Sequence, residues 1–208
     1  MSTQICAICG ERDGVTRDHV PPKAIFPKPR PENLVTVPAC LECNNGASDD
    51  DDLFKVFLSM QAASNSEIAR RLFQEKTART LERNQVLLSA IMEESREVQV
   101  VINQGWVETR TGVLWNSKAH DAVIERTMRG LYFHHSGSHV PKGSNLSVQW
   151  LRGIPEEIEV NLDSFNTVVI GDDQVTYKYM INEDDSRYSL WLFDFYGAHW
   201  ASGHTSPS

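Results

Sequence analysis

The residues best suited to chemistry lie between Cys6 and Asn45. The chain has four cysteines, Cys6, Cys9, Cys40 and Cys43, arranged as two Cys-x-x-Cys pairs with thirty residues between them. Such a pair lets two thiolates from one tight turn reach the same ion, and two pairs complete a tetrahedral four-thiolate zinc site. Disulfides are the competing use of four cysteines. They belong to oxidising compartments and mostly to small secreted chains, and the N-terminus lacks the basic, apolar and small-residue pattern of an export signal. Structural zinc would also stabilise a segment too short to build its own core, by about 10–16 kcal/mol in isolated fingers.

Beside and between the pairs stand Arg17, Asp18, His19, Lys23, Asn33, Asn44 and Asn45. Hydrolysis of a phosphodiester needs a nucleophilic water, relief of charge on the phosphate and stabilisation of the leaving alkoxide. His19 suits the first task as general base, because an imidazole with an unperturbed pKa of ~6.5 is largely neutral near pH 7. Its neighbour Asp18 points the opposite way if the backbone is extended, which sets a hard oxygen beside the base rather than on top of it. Arg17 could hold a phosphate or pair with Asp18, and Lys23 could contact a phosphate or simply face water. Contacts of this kind give salt dependence rather than sequence preference.

This set of residues resembles the HNH endonucleases of the ββα-metal or His-Me finger superfamily, over roughly the first quarter of the chain. The resemblance implies a zinc-stapled, treble-clef-like ββα-metal finger with His19, Asp18, Asn33 and Asn44 in the catalytic set. It implies that Asp18 and Asn44 hold one Mg²⁺ or Mn²⁺ and that Asn33 orients the loop carrying His19. The final position is Asn44 rather than His. The eleven-residue step from Asn33 to Asn44 is longer than in the common form of the motif, because Val37-Pro38-Ala39 extends the approach to Cys40, and this leaves Asn45 as an alternative ligand. The implied activity is metal-dependent endonucleolytic cleavage of DNA, with RNA as the other candidate polymer. Double-strand cleavage would require a homodimer or sequential nicks. A non-catalytic zinc-finger adaptor for nucleic acid or protein fits the cysteine spacing equally well; the Asp-His and Asn positions favour the nuclease.

The elements that must position these groups follow from pattern. Residues 2–9 and 15–20 suit short strands, Pro21-Pro22 ends extended structure after His19, and Asn33 to Val37 alternates like a strand leading to the second pair. A short helix from Leu41 should carry Asn44 and Asn45. The run Ser48 to Asp52 suits a helix start, where Ser or Asp caps free amides and carboxylates meet the positive end of the dipole, rather than a second metal site. Residues 65–94 read as helical with Ser66 as a cap, and 97–110 as a hairpin turning at Asn103-Gln104-Gly105. Ser117 to His135 is a helix with Ile124, Met128, Leu131 and His135 on one face, which puts Arg126 and Arg129 on another. Strands are expected at 146–151, 158–162, 167–170, 175–181 and 188–195, with a loose tail from about Ser202. The expected architecture is α+β: a zinc finger over 1–48, a helical connector over 49–96, and an α+β domain over 97–208 whose antiparallel sheet is packed by the 117–135 helix.

The net charge of −8 over 208 residues argues against indiscriminate nucleic-acid binding. Residues 1–48 carry five basic and five acidic residues, and 97–208 carry eight and fourteen, so phosphate attraction must be local to Arg12, Arg17, Lys23, Lys28 and Arg30. No apolar run approaches the ~18 residues of a membrane span, so the expectation is a cytoplasmic protein without a membrane partner. The histidines His134, His135 and His139 are expected at a helix end and His120-Asp121 at the surface. Trp191, Phe193 and Phe195 are expected in a core rather than on a base-stacking platform.

Overall fold

A computed structural model of the chain describes residues 4–63, 66–101, 105–151 and 162–208. It is a mixed α+β structure with three antiparallel sheets. The first sheet pairs β1 (Thr16–His19) with β2 (Thr36–Ala39), placing Asp18 opposite Val37 and His19 opposite Thr36. Before it, residues 4–14 form a turn rather than the expected strand. Ile5 bridges Asp13, Gly10 takes a positive φ of 68°, and its amide donates to the Cys6 carbonyl at 2.8 Å. Glycine meets that left-handed geometry without a Cβ penalty. After β2 comes the one-turn helix α1 (Leu41–Asn45), in which the free amide of Cys43 donates to Cys40 Sγ at 3.4 Å.

Helix α2 (Ser48–Ala62) begins at the aspartates, but no side chain caps it. Asp49 to Asp51 occupy its first turn, where they complement the dipole, and Asp51 is drawn away to Arg126. Ser66 does cap α3 (Glu67–Leu72), accepting from Ala69 N at 3.2 Å. The helix then widens to a π turn over Phe73–Thr77 before α4 (Ala78–Arg83) and α5 (Gln85–Glu93). The hairpin of β3 (Ser95–Val101) and β4 (Val107–Val113) is present, while Asn103 and Gln104 of its expected turn lie outside the described residues. It is a two-stranded outlier with Val101, Trp106 and Val107 exposed.

Helix α6 (Ser117–Ser136) starts at Asn116, whose side chain accepts from Ala119 N, and ends at Gly137 with φ 69°. The third sheet contains β5 (Ser144–Leu151), β6 (Asn166–Ile170), β7 (Val175–Ile181), β8 (Ser189–Phe195) and β9 (His199–Pro207), in the order β5-β9-β8-β7-β6. Most of the strand expected at 158–162 lies outside the described residues; Leu162 opens a 3₁₀ turn instead. The expected loose tail is an interior strand. β9 runs between β5 and β8, with Leu151 opposite Trp200 and Phe193 opposite Ala201. Its small residues suit that place: a Cβ on Gly203 would stand 2.6 Å from Met128 Sδ of α6.

One buried cluster joins the N-terminal segment, α2, α3, α6 and the third sheet. It takes Ala7, Val20, Ile25, Phe26 and Val37 from the N-terminal segment, Phe54, Leu58 and Leu72 from the helices, Ile124, Met128 and Leu131 from α6, and Tyr177, Trp191, Phe193 and Phe195 from the sheet. The period-two aromatics of β8 are therefore core. Its other face is covered as well, by Leu162 and Phe165 against Leu192. Polar ties reinforce the join: Tyr196 Oη donates to the Ile25 carbonyl, and Gln61 Nε2 to the Ala198 carbonyl at 2.7 Å. Among the described residues no helix is long and apolar enough to cross a membrane.

Candidate functional site

The four cysteine sulfurs lie within 4.8 Å of one another and form no disulfide. Sulfurs around a tetrahedral zinc at ~2.3 Å would be about 3.8 Å apart, so this donor set fits the ion. Cys6 and Cys40 are buried, and Cys9 and Cys43 partly so. Burial opposes ionisation of Cys40. The Cys43 amide, the neighbouring thiols and Arg12 outweigh it and bring the pKa down to about 6, whereas burial and Cys40 raise that of Cys43, so the first thiolate of the cluster falls on Cys40. Arg12 also pairs with Glu42, which ties the first knuckle to α1. His139 closes the cluster from the C-terminal side, with Nε2 3.1 Å from the Cys6 carbonyl and its ring against Gly10.

Beside this cluster is a cleft of about 430 Å³ lined by Arg17, Asp18, His19, Lys23, Ala24, Asn44, Asn45, Ser48, Asp51 and Asp52. Strand β1 supplies the first three, α1 the two asparagines, and the start of α2 the last three. A larger depression of about 780 Å³ lies between the knuckles and α6, lined by Glu42, Asp50, Glu125 and Arg129 among others, but it contains no imidazole. The smaller cleft is the candidate because a base, cations and hard oxygens converge in it.

Alternation along β1 separates Arg17 from Asp18. Arg17 reaches across to Thr36, donating to its carbonyl at 2.8 Å and its hydroxyl at 2.9 Å, so no Arg17–Asp18 pair forms. Asp18 is buried. Its Oδ1 accepts the His19 amide at 2.8 Å, and its Oδ2, without a hydrogen bond, lies 3.4 Å from Arg126 Nε. Burial raises the Asp18 pKa, with Arg126 pulling against that. Burial, then Lys23, lowers the His19 pKa below its ordinary 6.5 and so favours the neutral imidazole. Asn44 Nδ2 donates to Thr16 Oγ1 at 3.0 Å and to the Arg17 carbonyl at 3.2 Å. That fixes the amide by its nitrogen and leaves its oxygen without a protein donor among the described residues. Asn45 lines the same cleft without such an anchor.

Asn33 is placed elsewhere. Its Nδ2 donates to the Val169 carbonyl at 2.8 Å, and its Oδ1 accepts from the Gly171 amide at 3.2 Å, so it joins the loop before β2 to β6 instead of holding the His19 loop.

Asp51, Asp52 and Arg126 were not assigned to this site from sequence, where Ser48 to Asp52 reads as a helix start and Arg126 as lying on an outer face of its helix. The aspartates follow Asn45 closely, and a turn of chain between α1 and α2 was the available signal. Arg126 has no local signal, since its bond to Asp51 spans 75 residues, and α6 turns it inward rather than toward water. Burial pushes the Asp51 carboxyl up to about 6 against the attraction of Arg126. His120, expected at the surface, is buried between Phe54, Trp115 and His199, with Nδ1 on Asp121 at 2.8 Å. His135 bonds Tyr177 Oη at 2.9 Å as a helix-end histidine. Among the described residues the cysteine cluster is the one grouping of three or more His, Cys, Asp or Glu side chains close enough to share a metal.

Comparison of the chain with protein-family models, with curated proteins and with solved structures finds no match.

Proposed function

We propose that this protein is an HNH-type endonuclease that hydrolyses phosphodiester bonds in DNA at the His19 cleft, with a structural zinc on Cys6, Cys9, Cys40 and Cys43. The observation that carries the reading is convergence. Arg17, Asp18, His19, Lys23 and Asn44, singled out by residue type and spacing, line a single cleft beside the four-thiol cluster. His19 is the general base: its lowered pKa keeps the ring able to accept a proton from water near neutral pH. Arg17 and Lys23 supply positive charge for phosphate oxygens, and neither is paired with a carboxylate among the described residues.

Two oxygens of the site are of the hard kind that a divalent ion such as Mg²⁺ takes. Asp18 Oδ2 is buried without a hydrogen-bond donor, with Arg126 Nε at ion-pair distance, 3.4 Å, and Asn44 Oδ1 is left over when its amide nitrogen is anchored. These two would hold Mg²⁺ or Mn²⁺, which when bound supplies Lewis-acid relief of charge at the phosphate. Asp18 also fixes the backbone amide of His19, and Asn44 ties α1 to β1, so both shape the cleft whether or not an ion is present.

The deciding experiment is nicking of supercoiled plasmid at low salt with Mg²⁺ or Mn²⁺, with a single-stranded RNA arm, comparing wild type with His19→Ala at one zinc per chain. Nicking by the wild type alone is expected. Equal nicking by both proteins would refute His19 as the base. Tight nucleic-acid binding with no cleavage by either would favour a non-catalytic adaptor.

A further inference from the structure

The carboxylate of Asp18 is held from outside the N-terminal segment. Arg126, in the third turn of α6, is itself buried, with 7 % of its side chain exposed. Its Nε lies 3.4 Å from Asp18 Oδ2, and its Nη2 donates to Asp51 Oδ1. One guanidinium therefore lies between two carboxylates, one from β1 and one from the first turn of α2. One helical turn further on, Gly130 lies against Val20, the residue that follows His19; a Cβ there would come within 2.6 Å of Val20 Cγ1. Helix α6 thus touches the chain immediately before and immediately after His19.

We propose that Arg126 is a positioning residue of the His19 site: anchored by Asp51, it holds Asp18 so that Oδ1 of Asp18 fixes the His19 amide. The proposal deepens the nuclease reading and extends it, because the catalytic strand is then completed by a helix from the C-terminal part of the chain. The physical reason is geometric. Asp18 is 8 % exposed, its Oδ2 has no hydrogen-bond donor, and Arg126 is the one cation within ion-pair distance of it among the described residues. Without that guanidinium nothing holds Oδ2 in place, the carboxylate is free to turn about its Cβ–Cγ bond, and Oδ1 is lost as a fixed acceptor for the His19 N–H. A guanidinium suits this task better than an ammonium, because its planar fork can address two carboxylates at once.

The test uses the full-length, zinc-loaded protein and needs no substrate. Amide hydrogen exchange is followed at His19, with Val20 and Ala7 as controls, since their amides bond the Val35 and Pro38 carbonyls at 3.1 and 2.8 Å. In Arg126→Gln, protection of His19 should fall about tenfold, the scale of one lost hydrogen bond, while Val20 and Ala7 keep theirs. Arg126→Lys should recover part of the loss, and Asp51→Asn added to Arg126→Gln should cost nothing more, because the two act in series. Plasmid nicking should lose kcat with KM unchanged. Unaltered His19 exchange in Arg126→Gln would overturn the proposal, as would equal loss at Val20 and Ala7, which would mean general loosening. If the wild type nicks nothing but His19 exchange responds as described, the positioning role stands and the nuclease reading fails.

Discussion

Replacement of Gly130 by alanine sets two effects of opposite sign against each other. An alanine in a helix interior is favoured over glycine by about 1 kcal/mol, so propensity alone predicts a more stable protein. The contact geometry predicts the reverse. A Cβ at Gly130 would stand 2.6 Å from Val20 Cγ1, 3.1 Å from Cγ2 and 3.2 Å from Cβ, against ordinary carbon contacts of ~3.5–4.0 Å. Val20 is fully buried and β-branched, so it cannot swing aside. Overpacking of this kind costs about 1–3 kcal/mol, and a rigid neighbour places it near the upper end. Subtracting the propensity gain leaves about 2 kcal/mol of destabilisation, or about 4–8 °C in Tm for a chain of this size. The assay is thermal unfolding of the zinc-loaded protein, run also in a Val20→Ala background, where the two closest contacts are gone and only the Cβ contact at 3.2 Å remains, so Gly130→Ala should cost much less there. A rise in Tm for Gly130→Ala alone would refute the packing argument. So would an equal fall in both backgrounds.

Further outcomes follow from the same contacts. Asn33→Ala should lower stability by about 1 kcal/mol through its lost bonds to Val169 and Gly171, and leave nicking per folded molecule unchanged; a selective loss of kcat would restore Asn33 to the His19 site. Removal of zinc by chelation, or Cys40→Ser, should abolish nicking together with protection of the β1–β2 amides, because β2 runs directly into Cys40 and α1 carries Cys43; loss of activity with those amides still protected would separate zinc from the fold of the cleft. The acid limb of kcat/KM should lie below the ordinary histidine pKa of 6.5, since burial and then Lys23 disfavour the protonated ring and the base must be neutral. Lys23→Gln should move that limb upward, and a limb above 6.5 in the wild type would contradict the assignment of His19.

What could be read from sequence alone is what short-range chemistry dictates. Cysteine spacing brings four thiols together because each pair is closed by its own turn, and alternation along β1 puts Arg17 and Asp18 on opposite faces whatever surrounds them. The helix over 117–136 and the aromatic strand over 189–195 were legible from apolar periodicity. Tertiary structure alone decided the rest. The run after Ser202 looks like a tail because Ser, Gly and His are weak strand formers, yet pairing on both edges makes it an interior strand. Asn33 is equally polar in either setting, and only the approach of β6 decides where its amide bonds. The inward turn of Arg126 is the clearest case: a helix pattern marks an arginine as surface, and it is buried here because two carboxylates distant in sequence meet it. Local patterns carry local geometry, whereas a buried charge is specified by partners that only the folded chain brings within reach.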